Sequence, residues 1–304
     1  MKRFDSGAVL AVLVLVLGAW LWGLPAGAVQ EVRESRAVAA DATIHVSNVA
    51  GRIEITGWER NEVDIVGILD DDVELEITGG GKRLNVEVEL PERVHHHEGS
   101  ADLKLRVPVG AELDVSSVSA DISVSGFTGT LRAESVSADV RAEGRMRDIE
   151  IHTVSGEVLL PADAPRVTIE AVSSDIHLGP LDPKLKANVS VQTVSGDVTV
   201  DGVPAESDLQ SVSGDVVFQG DFQAAGHYDF SSHSGDIRLT VPPEASARFS
   251  VTSFSGEILN GLGSESAERT SRFAPGVSLD FSVGDGDARV TVETFSGDVI
   301  LAHP

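Results

Sequence analysis

The chain has 304 residues, no cysteine and a formal net charge of −25 at pH 7. The absence of cysteine excludes disulfides, zinc–thiolate sites and cysteine nucleophiles, so stability must come from a buried core or a repeated ladder of strands. The strong negative charge argues against nucleic acid and anionic membrane surfaces as partners.

Residues 1–28 predict a secretory signal peptide. A Lys-Arg pair precedes an apolar run over residues 8–24, and an A-x-A sequence ends at Ala28. We expect cleavage after Ala28, an extracytoplasmic location (periplasm, cell surface or secreted) and no membrane span in the mature protein. The alternative is an uncleaved anchor, but the apolar run is near the lower length limit for crossing a bilayer.

Residues 40–110 are less regular than the rest of the chain. They contain strand pairs joined by glycine turns, at Gly57–Trp58 and at Gly79–Gly81. We expect this segment to form an irregular β cap of antiparallel strands over the open end of the fold. Such a cap protects the last strand from pairing with another molecule.

A hexamer typified by TVSGDV, at Thr193–Val198, recurs through the rest of the chain. Its copies follow one another at 18 to 22 residues, except for a last gap of 41 residues, where we expect an inserted loop at Gly261–Gly276. A fixed period that tolerates small insertions is typical of solenoids. The serines that anchor the copies are Ser119, Ser137, Ser155, Ser173, Ser195, Ser213, Ser234, Ser255 and Ser296.

Apolar residues alternate on both sides of each hexamer, which indicates short strands. Leu131 and Ala133 share one parity, whereas Val136 and Val140 share the other, so the chain turns a corner at the hexamer. We therefore predict that each repeat contains two strands and two bends. We predict an all-β, single-chain β-solenoid over residues 111–302, with 18–22 residues per coil and successive coils paired in register.

The fourth hexamer position holds glycine in six copies but Ala120, Ala138 and Ser174 in the others. We interpret this as a requirement for a small residue more than for positive φ, so that alanine at Gly196 should destabilise the fold much less than valine. We expect the preceding serine to stack in a ladder and to hydrogen-bond the turn. The acidic residue that follows should form a column, which either accepts backbone N–H bonds at its own bend or binds Ca²⁺.

Several motifs together resemble the bacterial putative-adhesin family of secreted β-strand-repeat proteins. They are G-x-I-x-I-x-G-W at Gly51–Trp58, V-P-x-G-A-x-L-D-V at Val107–Val115 and the S-G-D-[VI] series, and they extend over about residues 40–302. The resemblance implies a β-helical fold at the cell envelope. The family is largely a domain of unknown function and implies no catalytic residues.

No residue pattern identifies a catalytic, cofactor or metal site. The HHHE run at His95–Glu98 and the DDD run at Asp70–Asp72 are interpreted as a solvated loop and a charged turn, because neighbouring strand residues cannot face one ion. We predict a non-enzymatic adhesin or interaction scaffold whose partner is an envelope or surface protein or polysaccharide. The alternatives are a carbohydrate-active β-helix and an accessory domain in envelope stress sensing.

Overall fold

The computed structural model describes residues 30–71, 73–90, 99–269 and 276–304, so the predicted signal peptide lies outside the described residues. Within these ranges the chain is all β apart from a short 3-10 helix at Pro183–Leu185, and none of their helices is long and apolar enough to cross a bilayer. The strands are β1 (Gln30–Trp58), β2 (Glu62–Leu69), β3 (Glu74–Glu89), β4 (Ala101–Pro108), β5 (Glu112–Ser125), β6 (Thr130–Ser137), β7 (Val140–Ala142), β8 (Gly144–Arg145), β9 (Asp148–Ser155), β10 (Val158–Leu160), β11 (Ala162–Asp163), β12 (Arg166–Ser173), β13 (Ile176–Leu181), β14 (Asn188–Ser195), β15 (Val198–Gly202), β16 (Glu206–Ser211), β17 (Val216–Gly220), β18 (His227–Ser232), β19 (Ile237–Thr240), β20 (Ala247–Ser253), β21 (Ile258–Asn260), β22 (Glu268–Arg269), β23 (Val277–Val283), β24 (Ala288–Thr294) and β25 (Val299–Ala302).

Parallel pairing joins most of these strands into two ladders. The first ladder holds the strands before each hexamer bend, in the order β5, β6, β9, β12, β14, β16 and β18. The second holds the strands after each bend, in the order β5, β7, β10, β13, β15, β17 and β19. Because the chain alternates between the ladders, equivalent positions of successive repeats face each other. Ser155, Ser173 and Ser195 therefore lie in one column, as the repeat predicts.

The parallel ladders extend further toward the N-terminus than the predicted boundary at residue 111. Residues 43–47 of β1 lie between β3 and β5 in the first ladder, and residues 51–56 lie between β4 and β5 in the second. β1 is thus a full repeat unit inside the segment that the sequence assigned to an irregular cap. In this segment β2 pairs antiparallel with residues 30–37 of β1 and with β4.

At the C-terminal end, spatial order departs from chain order. β24 and β25 lie between β18–β19 and β20–β21, so the last repeat is inserted between the two that precede it. The 41-residue gap holds strand as well as loop: β23 pairs antiparallel with β20, and β22 pairs with β23. Antiparallel strands therefore cover the first ladder at this end.

The inward side chains of both ladders form one apolar core. Toward the N-terminal half it is aliphatic, with Leu131, Ile149, Val167 and Val189 facing one another in successive repeats. These small or branched side chains suit a pleated, closely stacked interior. Toward the C-terminal end rings fill the same space, namely Phe218, Phe222, Tyr228, Phe230, Phe249 and Phe281.

The hydroxyl of Tyr228 is buried and fully engaged in this aromatic part of the core. It donates a hydrogen bond of 2.7 Å to the Pro204 carbonyl and accepts one of 2.7 Å from the Gln223 backbone N–H. Burial raises the pKa of the Tyr228 hydroxyl from 10.0 to about 12. The phenol thus fixes the loop before β18 against the loop before β16.

Tyr228 is the only tyrosine in the chain, so tyrosinate absorbance reports on this residue alone. We expect titration near pH 12 in the folded protein and near pH 10 in denaturant. Because folding favours the neutral phenol, the contribution of this group to the free energy of unfolding is fully present and independent of pH below about pH 10. It then falls as the pH rises through about 12.

The variant Tyr228→Phe is the control, because it leaves the Pro204 carbonyl and the Gln223 N–H without their phenol partner. We expect it to lower the free energy of unfolding by about 1–3 kcal/mol at neutral pH and to remove this alkaline decrease. Equal stability of the two proteins in urea would contradict the assigned bonds.

Candidate functional site

The first position of the hexamer is a buried hydroxyl in every copy except the one with Ala171, and in six copies this hydroxyl holds the bend. Ser211 Oγ accepts a hydrogen bond of 2.8 Å from the Gly214 N–H, and Ser232 Oγ accepts one of 2.8 Å from the Gly235 N–H. The other copies with this bond are Ser117, Ser135, Ser253 and Thr294. The hydroxyl satisfies a backbone group that the turn removes from the strand ladder.

The third position links neighbouring repeats, as the sequence predicts for the stacked serines. Ser155 Oγ donates to the Val136 carbonyl at 3.2 Å, and Ser213 Oγ donates to the Val194 carbonyl at 3.2 Å. Each accepting carbonyl belongs to the second position of the previous repeat. Successive bends are therefore joined by side-chain hydrogen bonds as well as by backbone pairing.

The fourth position is restricted by the backbone of the neighbouring repeat. A Cβ atom on Gly214 would lie 1.8 Å from the Gly196 carbonyl oxygen, and one on Gly196 would lie 2.2 Å from that of Ser174. Gly196 also has a φ of 115°, which disfavours other residues. Gly196 therefore requires positive φ as well as small size, and the smaller effect of alanine than of valine there stays a prediction. Ala120 is accepted because β5 passes through its bend without a break and directs that side chain into the core.

The fifth position forms the predicted acid column, with its bonds directed to the next repeat. Asp197 Oδ1 accepts a hydrogen bond of 2.9 Å from the Asp215 N–H, and Asp215 Oδ1 accepts one of 2.8 Å from the Asp236 N–H. The acceptors of all such bonds are Asp121, Asp139, Asp175, Asp197, Asp215, Asp236 and Asp298. The donor thus comes from the next repeat and not, as expected, from the same bend.

The other acidic and histidine runs form no site in the described part of the chain. The HHHE run lies outside the described residues, and Asp70 accepts hydrogen bonds from the backbone and hydroxyl of Ser100, which fits a charged turn. Within the described ranges, no group of three or more His, Asp or Glu side chains is arranged to hold a metal ion.

The second position produces an exposed apolar stripe that the sequence reasoning missed. At the bend the second and third side chains both point outward, so Val154, Val172 and Val194 remain 47–49% exposed. The apolar stripe consists, in spatial order, of Val118, Val136, Val154, Val172, Val194, Val212, His233, Phe295 and Phe254. The signal was available: this outward position holds an apolar residue in every hexamer copy except the one with His233.

The apolar stripe forms one wall of a long groove, which we call the bend groove. Its floor is formed by first-position side chains such as Thr153 and Thr193, and its opposite wall by the residues that precede them, such as Glu134, His152 and Glu170. The part of the groove lined by these residues has a volume of about 750 Å³. A further part of about 530 Å³ continues past Ser211 and Ser231 to the aromatic end of the stripe.

The aromatic end is ordered by ring stacking. The rings of His233 and Phe295 are 4.8 Å apart at an interplanar angle of 9°, and those of Phe295 and Phe254 are 4.6 Å apart at 8°. Three exposed rings thus stack on one another at this end of the stripe.

These features define an all-β protein with a mostly parallel sheet and a repeated surface groove. Residues 164–302 match the model of the family described as Toastrack DUF4097, a domain of unknown function. The match confirms the resemblance seen in the sequence. No curated protein matches the chain.

The comparison with solved structures finds matches of low sequence identity. A structure from Parabacteroides distasonis described as a "putative lipid binding protein" has a TM-score of 0.50 and 11% identity, and the match covers 91% of this chain and 98% of that chain. A structure described as a "putative adhesin" from Parabacteroides merdae has a TM-score of 0.49 and 9% identity over 90% of this chain and 96% of that chain.

The close approach at the fourth position leads to a stability prediction. Gly214→Ala should lower the free energy of unfolding by about 2 kcal/mol or more, because the added Cβ overlaps a backbone oxygen that cannot move independently of its ladder. Gly110→Ala is the matched control, since its Cβ would lie 3.6 Å from the nearest heavy atom, the Ala40 carbonyl oxygen. Urea unfolding of both variants checks this, and equal losses would contradict the steric explanation.

The acid column leads to a second prediction, in which charge and hydrogen bonding are separated. Asp197→Asn keeps the Oδ1 acceptor for the Asp215 N–H and removes one of a row of like charges. We expect it to change stability by less than about 0.5 kcal/mol, whereas Asp197→Ala should cost about 1 kcal/mol. Thermal melts at low and high salt measure both effects, and an asparagine variant as unstable as the alanine variant would refute the capping role.

Proposed function

We propose that this chain is a non-enzymatic β-solenoid of the cell envelope that binds a partner along the bend groove. In this proposal the two ladders close into coils of 18–22 residues, and the protein acts as an adhesin or interaction scaffold. The single observation that carries it is the exposed apolar stripe, which is repeated once per coil.

Closure into coils is supported by how the ladders share their interior. Strands consecutive in the chain alternate between the two ladders, and the inward residues of both belong to one core cluster. A chain that returns to the same ladder every 18 to 22 residues, with its apolar side chains between the ladders, is the arrangement of a repeat solenoid.

A binding role is supported by the regularity of the groove. Catalytic sites bring different side chains together at one place, where they act as nucleophile, base and oxyanion donor. The bend groove instead presents nearly the same pattern in each repeat, an apolar wall beside a floor residue that is a hydroxyl everywhere except at Ala171. Contiguous exposed apolar surface of this kind is typical of interaction sites.

An extracytoplasmic location is part of the proposal and is supported by the sequence. The predicted signal peptide at residues 1–28 and the absence of cysteine are both compatible with export. The acidic surface would keep such a protein soluble and apart from anionic membranes.

Cosedimentation of the purified protein with the envelope fraction of its own cells tests the proposal. We expect binding of the wild type and a loss of at least about tenfold in affinity for Val154→Asp/Val172→Asp/Val194→Asp, since each aspartate replaces apolar wall by charge. These side chains are about half exposed, so the variant should keep its melting temperature within a few degrees.

Leu259→Asp is the matched control, because Leu259 is 51% exposed and does not line the groove. It should bind as the wild type does. Absence of wild-type binding, or equal binding by all three proteins, would refute the groove as the functional surface.

A further inference from the structure

The spacing of the bend groove restricts the shape of its occupant. Parallel ladders place successive stripe residues about 4.8 Å apart. An α-helix presents side chains on one face about every 5.4 Å along its axis, once per turn. After three turns, its side chains are therefore displaced from the corresponding stripe residues by only about 2 Å. An extended peptide presents a side chain on one face every ~6.7 Å, a mismatch of about 1.9 Å at each step compared with about 0.6 Å for the helix. A helix lying along the groove therefore matches it best.

The charges beside the groove restrict the chemistry of that helix. Glu134, Glu170 and Glu293 lie in the wall opposite the stripe, and the exposed acid column follows three residues beyond it. The described residues that line the groove include no Lys or Arg. The stripe is thus flanked by negative charge on both sides, which complements Lys and Arg on the two flanks of an apolar helix face.

The same charges oppose the other obvious occupants. A second copy of this chain would bring acid columns and glutamates against their equivalents, and like charges across an interface cost several kcal/mol. An anionic lipid surface is repelled for the same reason. At the aromatic end the faces of Phe295 and Phe254 add a place where a cation or an apolar side chain can bind.

We propose that the bend groove binds the apolar face of a basic amphipathic α-helix supplied by a partner protein. This proposal rests on the proposed scaffold function and names its partner class. Leucine-like side chains at i, i+3, i+4 and i+7 of the helix insert between the apolar stripe and the opposite wall. Basic side chains on its flanks pair with Glu134 and Glu170 on one side and with the acid column on the other.

Synthetic peptides of about five helical turns test this proposal directly. The probe has leucine on one face and lysine on the other. One comparison peptide has glutamate in place of lysine, and a second has the same leucines and lysines in scrambled order. Binding to the full protein is measured by fluorescence anisotropy at low and physiological salt. We expect only the ordered Leu/Lys peptide to bind tightly, with weaker binding at the higher salt.

Variants of the protein test the apolar contacts and the charge contacts with the peptide separately. Val154→Ser/Val172→Ser/Val194→Ser should weaken peptide binding at least about tenfold, while Leu259→Ser should leave it unchanged. Glu134→Gln/Glu170→Gln should weaken binding several-fold at low salt and reduce its salt dependence. Thermal melts of each variant confirm that the fold is retained, since all these side chains are exposed or about half exposed.

Four results would overturn the proposal. Equal binding of the scrambled peptide would show charge attraction without a helix face, and equal binding by the triple serine variant would place the helix elsewhere. Dimerisation of the wild type that the serine variant loses would identify a second copy as the occupant. Stripe-dependent binding to vesicles of neutral lipid, without binding of the peptide, would identify a lipid surface.

The experiment separates this proposal from the one it rests on. If the wild type binds its envelope fraction through the stripe but does not bind the Leu/Lys peptide, the scaffold function stands and the partner class is wrong. If neither the envelope fraction nor the peptide binds, both proposals fail.

Discussion

The bend depends on one constraint, the in-register parallel pairing of repeats 18 to 22 residues apart. Register places each hexamer position about 4.8 Å from the equivalent position of the next repeat. Each side chain must therefore be able to lie beside another side chain of the same kind. Two bare carboxylates at that distance repel by about 0.9 kcal/mol in water. The acid column offsets this because each carboxylate, as Asp197 does with Asp215, accepts the N–H of the next acidic residue. The same close approach allows no Cβ on Gly214.

The exposure of the apolar stripe follows from how the bend is held. The first-position side chain is buried in every repeat, and in six of them its hydroxyl accepts the N–H three residues later, as Ser211 does from Gly214. The second and third side chains are then both directed outward. The serine at the third position donates to the neighbouring repeat, whereas the second-position side chain, such as Val212, is left about half exposed. A structural requirement of the corner thus creates a continuous apolar wall, on which we base the proposed binding function.

At both ends of the fold, spatial order departs from chain order and an antiparallel strand pairs with the outermost repeat. At the N-terminal end β1 lies between β4 and β5, and at the C-terminal end β24 lies between β18 and β20. At each end the outermost repeat is paired with antiparallel strand, β2 on β4 and β23 on β20. Antiparallel edges of this kind interrupt the regular parallel template to which another molecule could add.

The sequence by itself determined the strand pattern, the period, the corner at each hexamer and the column of Ser155, Ser173 and Ser195, because these follow from local alternation repeated at a fixed spacing. It did not determine that the last repeat is inserted before its predecessor, since the hexamers at residues 232–237, 253–258 and 294–299 are alike in sequence and do not specify their order. Nor did it reveal the restriction at Gly196 or the exposure of Val194. Both arise from how closely one repeat lies against the next and which way each bend directs its side chains, and only the tertiary structure decides these distances and directions.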